Sequence, residues 1–308
     1  MTGRRAVRLS VVSVCLNDAK VLPLFLDNME TWETRDLHYV VADNGSSDGS
    51  PEMILERFPA VDIVRMDLNR GTTGGYNRAL ERVREKGSEY VLFLALDVLL
   101  APDCLRVLTS LLEERPEIGA AGPVLFKSND RSLVECMGFR IAYDWSYVPY
   151  LGGRRESMDM PETVDVDYID GGTALFRMSA LDRAGSLDES LFMYGEDVDI
   201  CLRLRKQGYR IAAASRARAW HRHTEILLAS GRVQPYQVYY LHRNRGYIVA
   251  KHASGAGKLA YYLGVLARLP RHLAFYLARQ RNARLARIHL EALWHGLTKR
   301  MGKTNYVQ

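Results

Sequence analysis

The chain has 308 residues, 47% of them hydrophobic and 25% charged, with a formal net charge of +6. This balance excludes a disordered, collagenous or coiled-coil protein, and the length suits one large α/β domain or two smaller ones. Cys15, Cys104, Cys136 and Cys201 are far apart with no CxxC pair; neither a disulfide framework nor a thiolate zinc site is expected, and a reducing compartment fits.

At the N-terminus, MTGRRAVRLSVVSVCLND has only a short apolar run before Asn17 and Asp18, too short for a signal peptide, so a cytoplasmic location is expected. The first hundred residues then alternate short apolar runs with amphipathic stretches. LSVVSV (9–14), HYVVAD (38–43), VDIVRM (61–66) and YVLFLAL (90–96) read as buried parallel strands. Ala19 to Thr31, Ser50 to Phe58 and Thr73 to Lys86 have helical spacing. A doubly wound α/β sheet follows from this order. Ligands of such sheets bind beyond the carboxyl ends of the strands. All four ends here are polar: Leu16-Asn17, DNGSSDGS (43–50), NRGTTGGYN (69–77) and Asp97. Turn chemistry explains any one of them and explains four together less well.

From 119 to 194 the pattern is mixed, with strand candidates at AAGPVLF (120–126) and YIDGGTALFR (168–177). Between them lie an irregular aromatic stretch, Phe139 to Tyr150, and a loop around Arg154 to Pro161. Asp197, Ile200, Cys201, Leu204 and Gln207 mark a helix closed by Gly208, with a strand after it. From Pro235 the chain reads as all-helical, Leu290, Leu293, Trp294, Leu297 and Met301 forming one stripe. The window Leu259 to Leu277 is broken by Arg268, Pro270, Arg271 and His272, which argues against a transmembrane span and leaves an interfacial helix open. Residues 231–308 carry fourteen basic residues and one acid, Glu291, whereas 1–230 carry 28 bases and 35 acids. A basic tail on an acidic body points to an anionic partner: nucleic acid, a membrane face or a phosphorylated lipid. A plain solvated helical surface is the simpler alternative.

The polar ends suggest a pyrimidine nucleotide site. Asp43 can accept from the ring N–H of uracil or thymine, the glycines after it let backbone approach a ribose, and Asn69 and Asn77 flank a Gly-rich turn. No Walker or GxGxxG pattern is present. Asp97, closing an apolar strand, is costly without a cation, and Mg²⁺ or Mn²⁺ bridging a diphosphate would offset it; a turn or helix-cap role is the alternative. Glu196 and Asp197 open a helix, where a carboxylate is stabilised and can serve as a general base. His221, with His223 as alternative, suits a neutral-imidazole metal ligand.

In this joint order VVADNGSSDGS (40–50), NRGTTGGYN (69–77), Asp97, LDESLFMYGEDVDICLRLRKQGYR (187–210) and Trp220-His221, the chain resembles family 2 glycosyltransferases over residues 9 to 223, and is most similar to their rhamnosyltransferase-like and galactofuranosyltransferase-like branch. The resemblance implies a GT-A fold, a Rossmann-like mixed α/β sheet. Residues 1–230 would form the catalytic domain, with a nucleotide-binding half (1–100) and an acceptor half (101–230), and 231–308 a basic helical extension. It further implies inverting transfer from a dTDP- or UDP-sugar with a divalent cation, Mg²⁺ or Mn²⁺, at the diphosphate. On that mapping Asn17, Asp43, Asn44, Asn69, Gly71, Gly75, Asn77 and Asp97 line the nucleotide, and Asp97 and His221 hold the metal. Asp197 of the Glu196-Asp197 pair is the base, and Asp170, Gly171 and Gly172 line the acceptor side. One departure stands out: the family usually has Asp or Asn two residues before the last acid of its metal triplet, where this chain has Ala95.

The acceptor implied is a hydroxyl of a glycan or a lipid-linked sugar in cell-surface polysaccharide synthesis. The tail would rest peripherally on an anionic membrane or form a homodimer interface; nucleic acid is not expected, since the tail has no recognition motif. A binding protein that lost its metal with the change to Ala95 is the alternative.

Overall fold

The computed structural model describes residues 8–34, 36–222 and 233–306; His223 and the extreme N-terminus lie outside them. The parallel half is as the apolar runs predict. β1 (Leu9–Cys15), β2 (His38–Asp43), β3 (Asp62–Arg65) and β4 (Tyr90–Leu94) lie in the order β3-β2-β1-β4, every neighbour parallel. The crossovers are α1 (Leu22–Thr31), α2 (Ser50–Arg57) and α3 (Gly71–Lys86). Helix α1 starts three residues later than its spacing suggests, with Pro23 in its first turn, where a missing N–H costs nothing. β4 ends at Leu94 rather than Leu96, so Ala95 to Asp97 form a turn into the short β5 (Val98–Leu100).

Beyond β4 the sheet becomes mixed. α4 (Cys104–Glu114) leads to β6 (Ile118–Lys127) and β7 (Val134–Cys136), and the aromatic stretch forms a separate hairpin of β8 (Phe139–Ile141) and β9 (Tyr147–Pro149). β10 (Thr163–Asp165), β11 (Thr173–Arg177), α5 (Met178–Ala184), α6 (Glu196–Lys206) and β12 (Arg210–His221) follow. The spatial order continues β4-β11-β6-β12-β10, with β11 antiparallel to both neighbours. Each sheet face carries a core. One gathers Phe25, Leu92, Leu105 and Leu175, while on the other Tyr76 stacks on Phe93 at 4.3 Å. The four cysteines are buried and free.

The helical tail comprises α7 (Pro235–His252), α8 (Gly255–Ala274), a π-helical turn (Phe275–Arg279) and α9 (Ala283–Thr298). Its core of Tyr239, Tyr240, Tyr276, Leu285 and Ile288 includes Phe192 from the segment before α6, so residues 233–306 pack onto the rest rather than standing apart. The expected stripe faces outward: Leu290, Trp294 and Leu297 are exposed, while Leu285, Ile288, His289 and Ala292 face inward. Among the described residues no helix is long and apolar enough to cross a membrane.

Helix α3 lies so close to β1 that a Cβ on Gly75 would come within 2.7 Å of both Val14 methyls. Gly75 is therefore a packing residue. Gly75→Val should lower stability by about 1–3 kcal/mol through overpacking, read from the denaturant midpoint.

Candidate functional site

The carboxyl ends of β1, β2 and β3 are laced together by the polar residues that mark them. Asn17, in the left-handed region (φ 57°), accepts from the backbone N–H of Ser47 at 2.9 Å, and its own N–H donates to Ser46 Oγ at 3.0 Å. Asp43 accepts from the Ser46 N–H at 2.9 Å. Asn44 reaches the next loop, donating to the Gly71 carbonyl and accepting from the Arg70 N–H, both at 3.1 Å. Asn69 accepts from the Gly71 N–H at 2.8 Å, which leaves its Nδ2 buried without a partner, a donor available to a ligand. Gly71 (φ 74°) is where this loop meets the segment before α6, since a Cβ there would lie 2.1 Å from the Phe192 carbonyl oxygen. Asn77 is placed differently from its expectation: both amide hydrogens are donated, to the Leu187 carbonyl and to Glu189, and it braces that segment.

Register brings Asp97 to His221. β12 pairs antiparallel with β5, His221 opposite Val98, and the Arg222 N–H donates to the Asp97 carbonyl. The His221 ring sits between two acids, Nε2 at 3.6 Å from Asp97 and Nδ1 at 3.5 Å from Glu135. Burial alone would lower the imidazole pKa; hydrogen bonds to Asp97 and Glu135, with the nearby charge of Asp170, instead raise it to about 11. Glu135 was not foreseen. It lies on β7, which pairs with β6, itself the parallel neighbour of β12, so only the sheet order brings it here. Its Oε2 is buried without a partner. Asp97 and the Nε2 edge of His221 offer the oxygen and imidazole donors that a divalent cation takes, while Glu135, on the Nδ1 edge, is placed to orient the ring. Asp18, also unforeseen, adds to the negative field: burial first, with the charges of Asp97 and Asp48, lifts its pKa to about 6.

Asp197 opens α6, after Gly195 in the left-handed region. Its Oδ2 accepts from the Gly171 N–H at 3.3 Å, and a Cβ on Gly171 would come 3.1 Å from its own Cβ. The same loop continues to Gly172, whose carbonyl accepts from the Ala95 N–H at 2.9 Å. A Cβ on Gly172 would meet Ala95 Cβ at 3.0 Å and Asp170 Oδ1 at 3.1 Å, so Asp170 brings a carboxylate beside Ala95. Asp97 and Asp197 therefore lie at the two ends of one short stretch of contacts, and Asp170 raises the pKa of both His221 and Asp197. Burial first, then Asp170, pushes the Asp197 pKa upward; burial first, then Asp197, does the same to Glu196. A carboxyl poised above its ordinary range is a competent proton acceptor.

Residues 7–234 match the family described as glycosyltransferase like family 2. The chain belongs to this family. Among similar proteins is the N-acetylglucosaminyl-diphospho-decaprenol L-rhamnosyltransferase of Mycobacterium tuberculosis, 28% identical over 220 residues, covering 65% of this chain and 71% of the relative. A poly-beta-1,6-N-acetyl-D-glucosamine synthase of Staphylococcus epidermidis is 24% identical over 214 residues, 69% of this chain but 49% of the synthase. In structure the chain resembles S. aureus TarS 1-349 in complex with UDP (TM-score 0.59, 16% identity, 88% of this chain and 75% of the other). It also resembles GalNAc-T7 with UDP, GalNAc and Mn²⁺ (TM-score 0.63, 13% identity, 96% and 56%). The fold is GT-A, and the chain is a glycosyltransferase.

The tail of this transferase holds the segment that presents its acid pair. Phe192 (φ 66°) and Tyr194 (φ 64°) occupy backbone conformations that cost non-glycine residues about 1–3 kcal/mol each. Asn244 of α7 opposes that cost by donating to the carbonyls of Leu191, Met193 and Tyr194 at 3.0, 2.8 and 2.7 Å. Beside it Arg243, fully buried, donates to the carbonyls of Leu191 and Gly302 and lies over the Tyr240 ring at 4.7 Å. Sequence reasoning, which took 231–308 as an appendage, missed both. Asn244→Ala should destabilise the protein by about 3 kcal/mol, because it strands buried carbonyls. In steady-state kinetics kcat should fall about tenfold or more with donor KM little changed, since the acid pair and not the nucleotide loops would be misplaced.

Proposed function

We propose that this enzyme moves a sugar, rhamnose-like or another hexose, from a UDP- or dTDP-sugar to a hydroxyl of a glycan or lipid-linked acceptor, inverting the anomeric centre. The observation that carries the reading is the seating of Asp197 on the Gly171 N–H, at one end of the loop whose other end bonds to Ala95, two residues before Asp97. Asp197 takes the proton of the acceptor hydroxyl as its oxygen bonds to the anomeric carbon. The bond from that carbon to the diphosphate breaks on the opposite face, its electron pair leaving with the phosphate. Asn69 Nδ2 faces the nucleotide. Asp97 and His221 would hold a divalent cation, with Glu135 orienting the imidazole from its other nitrogen and Asp170 near the position that Ala95 leaves without a carboxylate. When bound, such an ion neutralises charge on the leaving diphosphate. Similar structures captured with UDP and Mn²⁺, and a mannosyltransferase of Pyrobaculum calidifontis with GDP-Man and Mn²⁺, support a nucleotide-sugar donor and a cation.

The relative named for L-rhamnosyl transfer and N-acetylglucosaminyl-diphospho-decaprenol supports a lipid-linked acceptor in cell-wall glycan synthesis. Two exposed stripes support peripheral attachment to an anionic membrane: Leu259, Leu263 and Leu266 on α8, and Leu290, Trp294 and Leu297 on α9, in a tail rich in arginine.

The test is release of UDP or dTDP from a panel of sugar donors, with acceptor, in Mg²⁺ or Mn²⁺ and in chelator. Release should require the cation, and Asp197→Asn should lower turnover about a hundredfold while donor binding persists; an Asp197→Asn enzyme at the wild-type rate removes the base, and donor binding without release under every condition favours a binding protein. For the membrane contact, wild-type protein should sediment with anionic but not zwitterionic vesicles, and the Leu263→Ser/Leu266→Ser double variant should stay largely in the supernatant. Equal sedimentation of the two proteins counts against that surface.

A further inference from the structure

His242 of α7, His272 of α8 and His289 of α9 come from three helices, yet one ring nitrogen from each lies within 4.8 Å of the other two. Ring centroids stand 3.9 Å apart for His242 and His289, 5.0 Å for His272 and His289, and 5.5 Å for His242 and His272. Edge-to-face packing would account for three rings in contact. It does not account for His289 Nδ1, which is buried with no hydrogen-bond partner in a residue only 1% exposed. A buried ring nitrogen without a partner costs about 1–3 kcal/mol, and a metal ion would recover that.

The surroundings keep the rings in the form that binds metal. Burial, then the neighbouring His289 and His272 and then Arg245, draw His242 down to about 3; burial, then His272, draw His289 down to about 4. Two of the cations nearby are engaged elsewhere: Arg245 donates to the Trp145 carbonyl at 2.9 and 2.6 Å, and Arg268 pairs with Asp144. Local distortions bracket His272, with Pro270 inside α8 and the π-helical turn beginning at Phe275; such turns often accompany sites.

We propose that His242, His272 and His289 form a site for one divalent transition metal of the zinc class, which clamps the three tail helices together. Three imidazoles select Zn²⁺, Co²⁺, Ni²⁺ or Cu²⁺ over Mg²⁺. At zinc–nitrogen bonds of about 2.0–2.1 Å the nitrogens stand about 3.3 Å apart, a contraction that side-chain torsions supply. His242 and His272 are only partly buried, so a water can complete a tetrahedron. The site shares no residue with Asp97, His221 and Glu135. His242 precedes Arg243 and Asn244 on α7, so the ion would stiffen the helix that braces the segment before Asp197.

The experiment uses the full chain with Asp97→Asn, to weaken the other cation site. After loading with Zn²⁺ and gel filtration, metal analysis should find about one equivalent per chain. Co²⁺ in its place should give the visible absorption of a tetrahedral ion. His272→Gln, at the partly exposed corner, should lose most of the bound metal and the Co²⁺ spectrum while keeping its circular dichroism. His289→Gln should do likewise. Failure of the parent protein to retain metal through gel filtration overturns the proposal, as does equal retention by a folded His272→Gln protein.

Discussion

The candidate site depends on the carboxylate of Asp197 resting on the backbone N–H of Gly171. That contact joins the start of α6 to the turn before β11, and β11 is antiparallel to β4, whose end leads to Asp97. Without an antiparallel strand inserted between β4 and β6, Asp197 and Asp97 would lie on separate elements with nothing to set their spacing. Both glycines of the turn are needed, because a Cβ at Gly171 presses on Asp197 and one at Gly172 presses on Ala95. The small residue at 95 and the glycine facing it form one close contact, and Asp170 lies beside both.

Acids crowd this region: Asp18, Asp97, Glu135, Asp170, Glu196 and Asp197, with His221 held between two of them. Such a field is expensive in the folded chain and favours a divalent ion and a proton acceptor with a raised pKa. The segment before Asp197 carries backbone strain that needs outside support. Its aromatic residues occupy left-handed conformations, and Arg243 and Asn244 bond the carbonyls around them. The tail is therefore structural support for the catalytic half as well as a basic surface. A metal on its three histidines would act on the same helix.

Local pattern carried most of the catalytic half. Continuous apolar runs separated by helical spacing suffice for four parallel strands, because strands covered on both faces have no polar side to show. Asp43, Asn44, Asn69, Gly71, Asp97, Asp197 and His221 stood out as candidates because each sits at an element's end, where a polar residue or glycine breaks an apolar pattern. Glu135 had no such mark: one acid in a three-residue strand reads as surface until β6 and β12 bring it beside His221. Asn77 carried the mark and serves another purpose, since a side-chain amide suits a backbone carbonyl as well as a nucleotide. On α9 the periodicity indicated a helix and left open which way its stripe faces, because an outward apolar stripe has the same period as an inward one.

What the sequence determined by itself was thus the fold class, the family and the order of the polar loops and acids that make up the candidate site. These follow from the hydrophobic period and from residues at strand and helix ends. Tertiary structure alone decided that Glu135 joins Asp97 and His221, that Arg243 and Asn244 brace the acid-bearing segment, and that three histidines from separate helices meet. In each case the partners are held together by sheet order or helix packing across long stretches of chain, and such proximity leaves no local signal in composition or spacing.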